Sequence, residues 1–378
     1  MTTPASPSAS TSTSAAPLRI RADDRTARGE GLIARWADRI DVDDDTPRLT
    51  IGEGGTPLVH AKRLSERLGV ELHLKLELAN PTGSFKDRGM CVAVARAMQA
   101  GATTLICAST GNTSASAAAF AAAAGLQCVV IVPTGKIAAG KLLQAQMAGA
   151  LVIQIDGSFD DGLTAVRELA SRPGIALVNS VNEYRIEGQK TGAFEVVEDL
   201  GGVAPDWLCI PVGNAGNITA YWRGFTELQT SGELTALPKL LGVQAAGSAP
   251  LVDGHNIEHP ETLATAIRIG RPARGDQALA AVAESGGQLR KRTDAQLVEA
   301  YALLAHDAGM FCEPASAISV AGLIAAIDDG TIARGSRVVC VLTGHGLKDP
   351  DTAATIVQPT IACGPSVAEI TAVIDANA

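Results

Sequence analysis

The sequence predicts an α/β protein, built from parallel sheets covered on both faces by helices and divided into two closely associated domains. Three observations carry this. The chain has 378 residues, enough for a large core in more than one domain. From about residue 70 onward, short apolar or alternating runs trade places with longer amphipathic ones. Strand, helix and strand in repetition also leaves each sheet face to be covered by the intervening helix.

The first strand, 71–78, alternates polar and apolar residues, as a half-buried strand does. The segments 104–108, 127–132, 151–155, 175–178, 207–212, 240–245 and 337–342 read as buried strands. Helical patterns occupy 87–99, 114–124, 138–148, 159–169, 188–200 and 218–229. No repeat is visible. Residues 2–17 contain only Ser, Thr, Pro and Ala, so 1–20 reads as a disordered tail with nothing to bury. It lacks the basic start and apolar centre of a secretory signal. Its Ser/Thr-rich, acid-poor character resembles a transit peptide, although Asp23 and Asp24 follow closely.

Composition narrows the function. Hydrophobic residues make up 46% and charged residues 19%, with a net charge of −9 and no long basic run, which excludes an extended nucleic-acid surface. No apolar stretch reaches the length of a membrane span. The seven cysteines stand singly, without a C-x-x-C pair, and read as buried thiols of a reducing cytoplasm. The six histidines show no metal spacing, and no metal is expected.

In parallel sheets, ligands gather where a strand's carboxyl end leads into a helix. Four such places are polar and glycine-bearing. In Asn80-Pro81-Thr82-Gly83-Ser84-Phe85-Lys86-Asp87-Arg88-Gly89, a helix starts at about Lys86. The positive end of the helix dipole and partial burial would both lower the amine's pKa, favouring the neutral nucleophile that an aldehyde cofactor requires. The plain alternative is a solvated lysine paired with Asp87 or Glu77. In 108–116, Ser109, Thr110, Asn112 and Thr113 open an alanine-rich helix, where backbone N–H groups and hydroxyls converge as an anion pocket. Ordinary capping needs only one such residue. Gly213, Asn214, Ala215, Gly216 and Asn217 form a third loop that could cradle a phosphate or be a tight turn, and it matches neither nucleotide fingerprint. The fourth is Leu342-Thr343-Gly344-His345-Gly346-Leu347-Lys348-Asp349-Pro350, where the Thr343 hydroxyl could meet a ring nitrogen without bringing charge.

Together these motifs resemble threonine synthase, a pyridoxal-phosphate enzyme of fold type II (tryptophan synthase β-like), in its shorter bacterial form. The likeness runs from about Ile51 to Pro350. It includes Gly52-Glu53-Gly54-Gly55-Thr56-Pro57-Leu58, Asn179-Ser180-Val181-Asn182, Arg185-Ile186-Glu187-Gly188-Gln189-Lys190-Thr191 and Glu313-Pro314-Ala315-Ser316-Ala317.

The resemblance implies that Lys86 carries pyridoxal 5'-phosphate and Asn112 contacts its ring hydroxyl. Gly213 to Asn217 would cradle its phosphate, and Thr343 would face its ring nitrogen. Ser109, Thr110, Thr113, Asn179 and Arg185 would bind the substrate, O-phospho-L-homoserine, which becomes L-threonine and phosphate. A large cofactor domain (21–85 plus 184–378), a smaller α/β domain (86–183) and a cytoplasmic homodimer are the further expectations. The rivals are a serine/threonine dehydratase, a cysteine synthase, a relative that makes an unusual amino acid, and a non-catalytic nucleotide-binding domain.

Overall fold

The computed structural model describes residues 30–134 and 139–377. The tail expected over 1–20 lies outside them. In chain order the elements are α1 Leu32–Trp36, β1 Leu58–His60, α2 Lys62–Leu68, β2 Glu71–Lys75, α3 Lys86–Gln99, β3 Thr104–Ala108, α4 Asn112–Ala124 and β4 Gln127–Pro133. Then follow α5 Ala139–Met147, β5 Leu151–Ile155, α6 Phe159–Leu169, β6 Ile175–Leu177, α7 Tyr184–Asp199, β7 Trp207–Pro211, α8 Gly216–Thr230 and β8 Lys239–Ala245. The chain closes with α9 Pro250–Asp253, α10 Gly275–Glu284, β9 Gln288–Arg292, α11 Asp294–Ala308, α12 Pro314–Asp328, β10 Arg337–Val341, α13 Pro350–Ala354 and α14 Val367–Ala376.

The strands form two sheets, ordered β1-β2-β10-β7-β8-β9 and β5-β4-β3-β6. All neighbours run parallel except β1, which pairs antiparallel with β2. In β7, Leu208 and Ile210 enter one core while Trp207 and Cys209 enter another. In β3, Leu105 and Cys107 join the first of these, and Ile106 and Ala108 a third. Alternate residues of a strand point to opposite faces, so a strand covered on both sides must be apolar throughout. Among the described cysteines six are buried and Cys363 is exposed, and all are free thiols.

Three sequence expectations need correction. The segment 151–155 is an edge strand with Leu151 and Ile153 exposed, not a buried one. The alternating strand ends at Lys75 and gives way to a 3-10 turn over Glu77–Ala79. The helix expected from residue 188 begins at Tyr184, which puts Arg185 in its first turn instead of a loop.

That early start is tied to a close crossing of α3 and α7. A Cβ on Gly188 would lie 1.9 Å from the Arg88 carbonyl oxygen, and one on Gly89 would lie 2.5 Å from that of Arg185. Only glycine at both positions lets the two backbones meet. The crossing brings Arg185 beside the start of α3, where Lys86 sits.

Candidate active site

Lys86 is the first residue of α3, held by contacts that reach across the sheets. The Phe85 N–H donates to the Thr343 carbonyl at 3.0 Å, and the His345 N–H to that of Gly83 at 2.9 Å. The lysine loop and the loop after β10 are therefore stitched together. Asp87 accepts from the Thr82 N–H at 2.7 Å, the Thr82 hydroxyl at 2.6 Å and the Ser116 hydroxyl at 2.6 Å, anchoring the loop to α4.

Behind it lies a buried charge network. Arg88 donates through Nε to Glu77 at 2.7 Å and through Nη2 to Glu195 at 2.6 Å, and Lys75 Nζ reaches Glu195 at 2.9 Å. The Thr56 hydroxyl donates to Glu77 at 2.8 Å, and the Gly55 N–H to Glu195 at 2.7 Å. These contacts explain the Gly54-Gly55-Thr56 stretch. Buried charges are tolerated when each is paired and hydrogen-bonded, as here.

The Lys86 amine lies 4.2 Å from the centre of the Phe85 ring. Although the residue keeps some exposed surface, desolvation of the amine lowers its pKa to about 7. The charge of Arg185 is the second contribution to that lowering, and the Glu313 carboxylate opposes both. Burial and a neighbouring cation bring the amine's titration into the physiological range, so that a large fraction of it is neutral there. The expected alternative, a lysine paired with Asp87 or Glu77, does not form, since both carboxylates are committed elsewhere.

Arg185 is 1% exposed. Its Nη1 donates to the Val178 carbonyl at 3.2 Å, while Nε and Nη2 are buried without a partner. Burial lowers its pKa to about 10, so it remains charged at neutral pH. Arg185 forms no ion pair with the neighbouring Glu183 or Glu187, whose carboxylates are engaged elsewhere. Glu187 binds Lys190 and Arg223, and Glu183 binds Arg274.

Asn112 opens α4 and is buried, with Nδ2 3.1 Å from both carboxylate oxygens of Glu313 and Oδ1 without a partner. Thr113 is buried in the same turn, and Thr110 is half-buried. Ser109 is half-buried too, and its hydroxyl accepts from the Gly111 N–H at 3.2 Å. Thr343 is 4% exposed, and its hydroxyl shares a 2.9 Å hydrogen bond with that of Ser316.

The loop from Gly213 leads into α8, whose N-cap is Ala215 at φ 65°. It is the single positive-φ residue other than glycine among the described residues. That conformation costs a non-glycine residue about 1–2 kcal/mol, a form of strain that gathers at functional sites. A Cβ on Gly213 would lie 3.0 Å from Ile267 Cα. The Asn217 side-chain nitrogen, in the first turn of α8, is buried without a partner. The Asn214 carbonyl accepts from the Arg274 N–H at 3.2 Å.

Some residues do work that the sequence did not reveal. The Asn179 side chain accepts from the Ala108 N–H at 3.0 Å and donates to the Ala108 carbonyl at 2.9 Å. It thus extends the pairing of β3 past the end of β6, and both ends of its amide are engaged. Ser316 and Glu313 stand out in the sequence only as members of a motif, yet they sit against Thr343 and Asn112. Arg274 carries no sequence signal at all. It is 5% exposed and donates to the carbonyls of Ser180 at 3.3 Å and Val181 at 3.4 Å.

The residues present fit pyridoxal phosphate. An amine with a pKa near 7 at the start of α3 is accompanied by an orphaned acceptor, Asn112 Oδ1, at the start of α4, and an orphaned donor, Asn217 Nδ2, in the first turn of α8. Orphaned buried polar atoms are rare in native proteins and mark places where a partner belongs.

The chain matches the family model "Pyridoxal-phosphate dependent enzyme" over residues 49–344. Threonine synthase of Mycobacterium leprae is 58% identical, over 85% of this chain and 90% of the relative. That of Synechocystis sp. is 55% identical over 93% and 91%, and that of Methanocaldococcus jannaschii 48% over 88% and 84%. The chain belongs to the threonine synthase family. The fold extends more widely. A structure of maize serine racemase superposes with a TM-score of 0.69 at 18% identity, covering 88% of this chain and 96% of the other. A fungal L-serine ammonia-lyase from Rhizomucor miehei gives 0.68 at 23% identity, covering 81% and 99%. The cofactor of this family member is pyridoxal phosphate. Among the described residues no group of side chains could hold a metal ion, and no helix is long and apolar enough to cross a membrane.

Proposed function

We propose that the enzyme converts O-phospho-L-homoserine and water to L-threonine and phosphate, with Lys86 as the cofactor lysine. The observation that carries the phosphorylated substrate is the Arg185 guanidinium, buried near Lys86 with two nitrogens lacking partners. A dehydratase acting on serine needs no such cation, whereas a γ-phosphate brings nearly two negative charges. A planar, always-charged fork suits it.

When bound, pyridoxal phosphate supplies an aldehyde for amine capture and a ring that accepts the electron pair left at Cα. Gly213, Asn214, Ala215, Gly216 and Asn217 would hold its phosphate at the α8 N-terminus, where unsatisfied N–H groups and the helix dipole attract an anion. Asn112 would meet the ring hydroxyl and Thr343 the ring nitrogen. Thr343 brings no charge there, which leaves that nitrogen less protonated than a carboxylate would. Lys86 Nζ, whose pKa near 7 lets it both accept and give up a proton, takes the proton from the substrate's Cα and afterwards moves protons at Cβ and Cγ. Ser109, Thr110 and Thr113 would bind the substrate at the α4 N-terminus. Arg185 draws the γ-phosphate, holds it while it leaves, and leaves Cβ open to water. Asn179 serves this site by fixing Ala108, the residue before Ser109.

The sheet arrangement supports the proposed division into two domains. Strands β3 to β6 lie within 104–177 and support a smaller domain over 86–183, leaving 21–85 plus 184–378 as the larger one. A homodimer in the cytoplasm completes the reading, and sedimentation of the purified enzyme tests the first part. The decisive experiment is an assay of phosphate release from O-phosphohomoserine with threonine detected in equal amount. Phosphate without threonine, or turnover of serine alone, would overturn the proposal.

A further inference from the structure

We propose that Glu313 is a positioning residue that locks the Asn112 amide with its nitrogen on the carboxylate, so that Asn112 offers an acceptor to the cofactor's ring hydroxyl. The inference rests on the cofactor placement proposed above. Glu313 is 1% exposed and reaches Asn112 from the N-cap of α12. Asn112 Nδ2 stands 3.1 Å from both of its oxygens. A carboxylate only accepts hydrogen bonds, so the amide cannot be turned over without placing oxygen against oxygen. The atom left over is therefore Oδ1, buried and without a partner.

The surroundings hold the carboxylate in place. The Glu313 N–H donates to the Gly344 carbonyl at 2.8 Å. A Cβ on Gly344 would lie 2.3 Å from Glu313 Oε1, so this glycine makes the room that the carboxylate fills. Among the titratable groups that feel the Glu313 charge are Lys86 at the start of α3 and Cys312 beside it. Arg185 from α7 acts on Lys86 in the opposite sense.

An acceptor stabilises the ring oxygen as O–H, and a donor stabilises it as the anion. The sign of a titration separates the two. The cofactor is first trapped on Lys86 with borohydride, which removes the imine proton from the problem, and the ring hydroxyl is then titrated by absorbance. In Asn112→Ala the hydroxyl should ionise lower than in wild type, by about one pH unit, the scale of one lost hydrogen bond. Glu313→Gln frees the amide to turn and should lower it in the same direction. In the Asn112→Ala background, Glu313→Gln should add nothing, because Glu313 acts through Asn112. Glu313→Asp, which keeps an acceptor-only partner, should restore the titration toward wild type.

A rise in the Asn112→Ala titration would overturn the proposal, even if Glu313→Gln failed to fold. An equal shift from Glu313→Gln in both backgrounds would also overturn it, by showing direct action on the ring. If no chromophore can be trapped on Lys86, the cofactor placement fails. A trapped chromophore that titrates with the wrong sign sinks only the role of Glu313.

Discussion

Replacing Arg185 with leucine should move activity and stability in opposite directions. The guanidinium is 1% exposed, makes one hydrogen bond, to the Val178 carbonyl, and leaves Nε and Nη2 without partners. Before substrate arrives, a desolvated charge and unsatisfied donors weigh against the folded state, at about 1–3 kcal/mol for each unsatisfied buried group. Leucine removes that cost but strands the Val178 carbonyl and fills less volume. The net expectation is a gain of about 1 kcal/mol, in line with buried charges replaced by apolar residues. The phosphorylated substrate, however, loses a desolvated charge partner. That should lower kcat/KM on O-phosphohomoserine by roughly 2–4 kcal/mol, or about 30- to 1,000-fold. Any side activity on serine or threonine should change far less. Stopped assays of phosphate and threonine give the first quantity. Urea unfolding, with and without millimolar inorganic phosphate, gives the second, and phosphate should stabilise wild type more than the variant. Equal activity losses on both kinds of substrate, accompanied by lower stability, would show that Arg185 serves the fold and would reopen the dehydratase reading.

Borohydride reduction and peptide mapping should place the cofactor on Lys86, and label on any other lysine would refute the assignment. Loading of cofactor into cofactor-free protein should speed up about tenfold from about pH 5.5 to 6.5 and level off above about pH 8, since the Lys86 amine loses its proton near pH 7. A rate still rising toward about pH 10 would indicate an ordinary solvated lysine. Thr343→Ala should keep the cofactor colour but slow turnover, because its hydroxyl, buried beside that of Ser316, is the neutral partner expected at the ring nitrogen. An unchanged rate at saturating substrate would remove Thr343 from that role.

What the sequence determined by itself was local. The strands at 104–108 and 151–155 appear in the structure with the bounds expected, because period and apolar content follow from near neighbours in the chain. The polar loops at strand ends were legible for the same reason, as was the buried, singly placed character of most cysteines. The lysine was singled out by its place at a helix start, and the structure adds that desolvation and Arg185 dominate its pKa. What a side chain faces was not legible, since that depends on residues far away in sequence. Leu151 to Ile155 looks like any buried strand until the sheet order puts it at an edge. Asn179 reads as a free ligand until β3 arrives and Ala108 takes both ends of its amide. Arg185 could equally pair with a surface glutamate or stand alone in the dark. The decision falls to Gly89 and Gly188, whose missing side chains let two helices cross closely enough to bury it. Glu313 and Asn112 lie 201 residues apart, and only the tertiary fold, which brings the α12 N-cap to the first residue of α4, turns two ordinary polar residues into a pair.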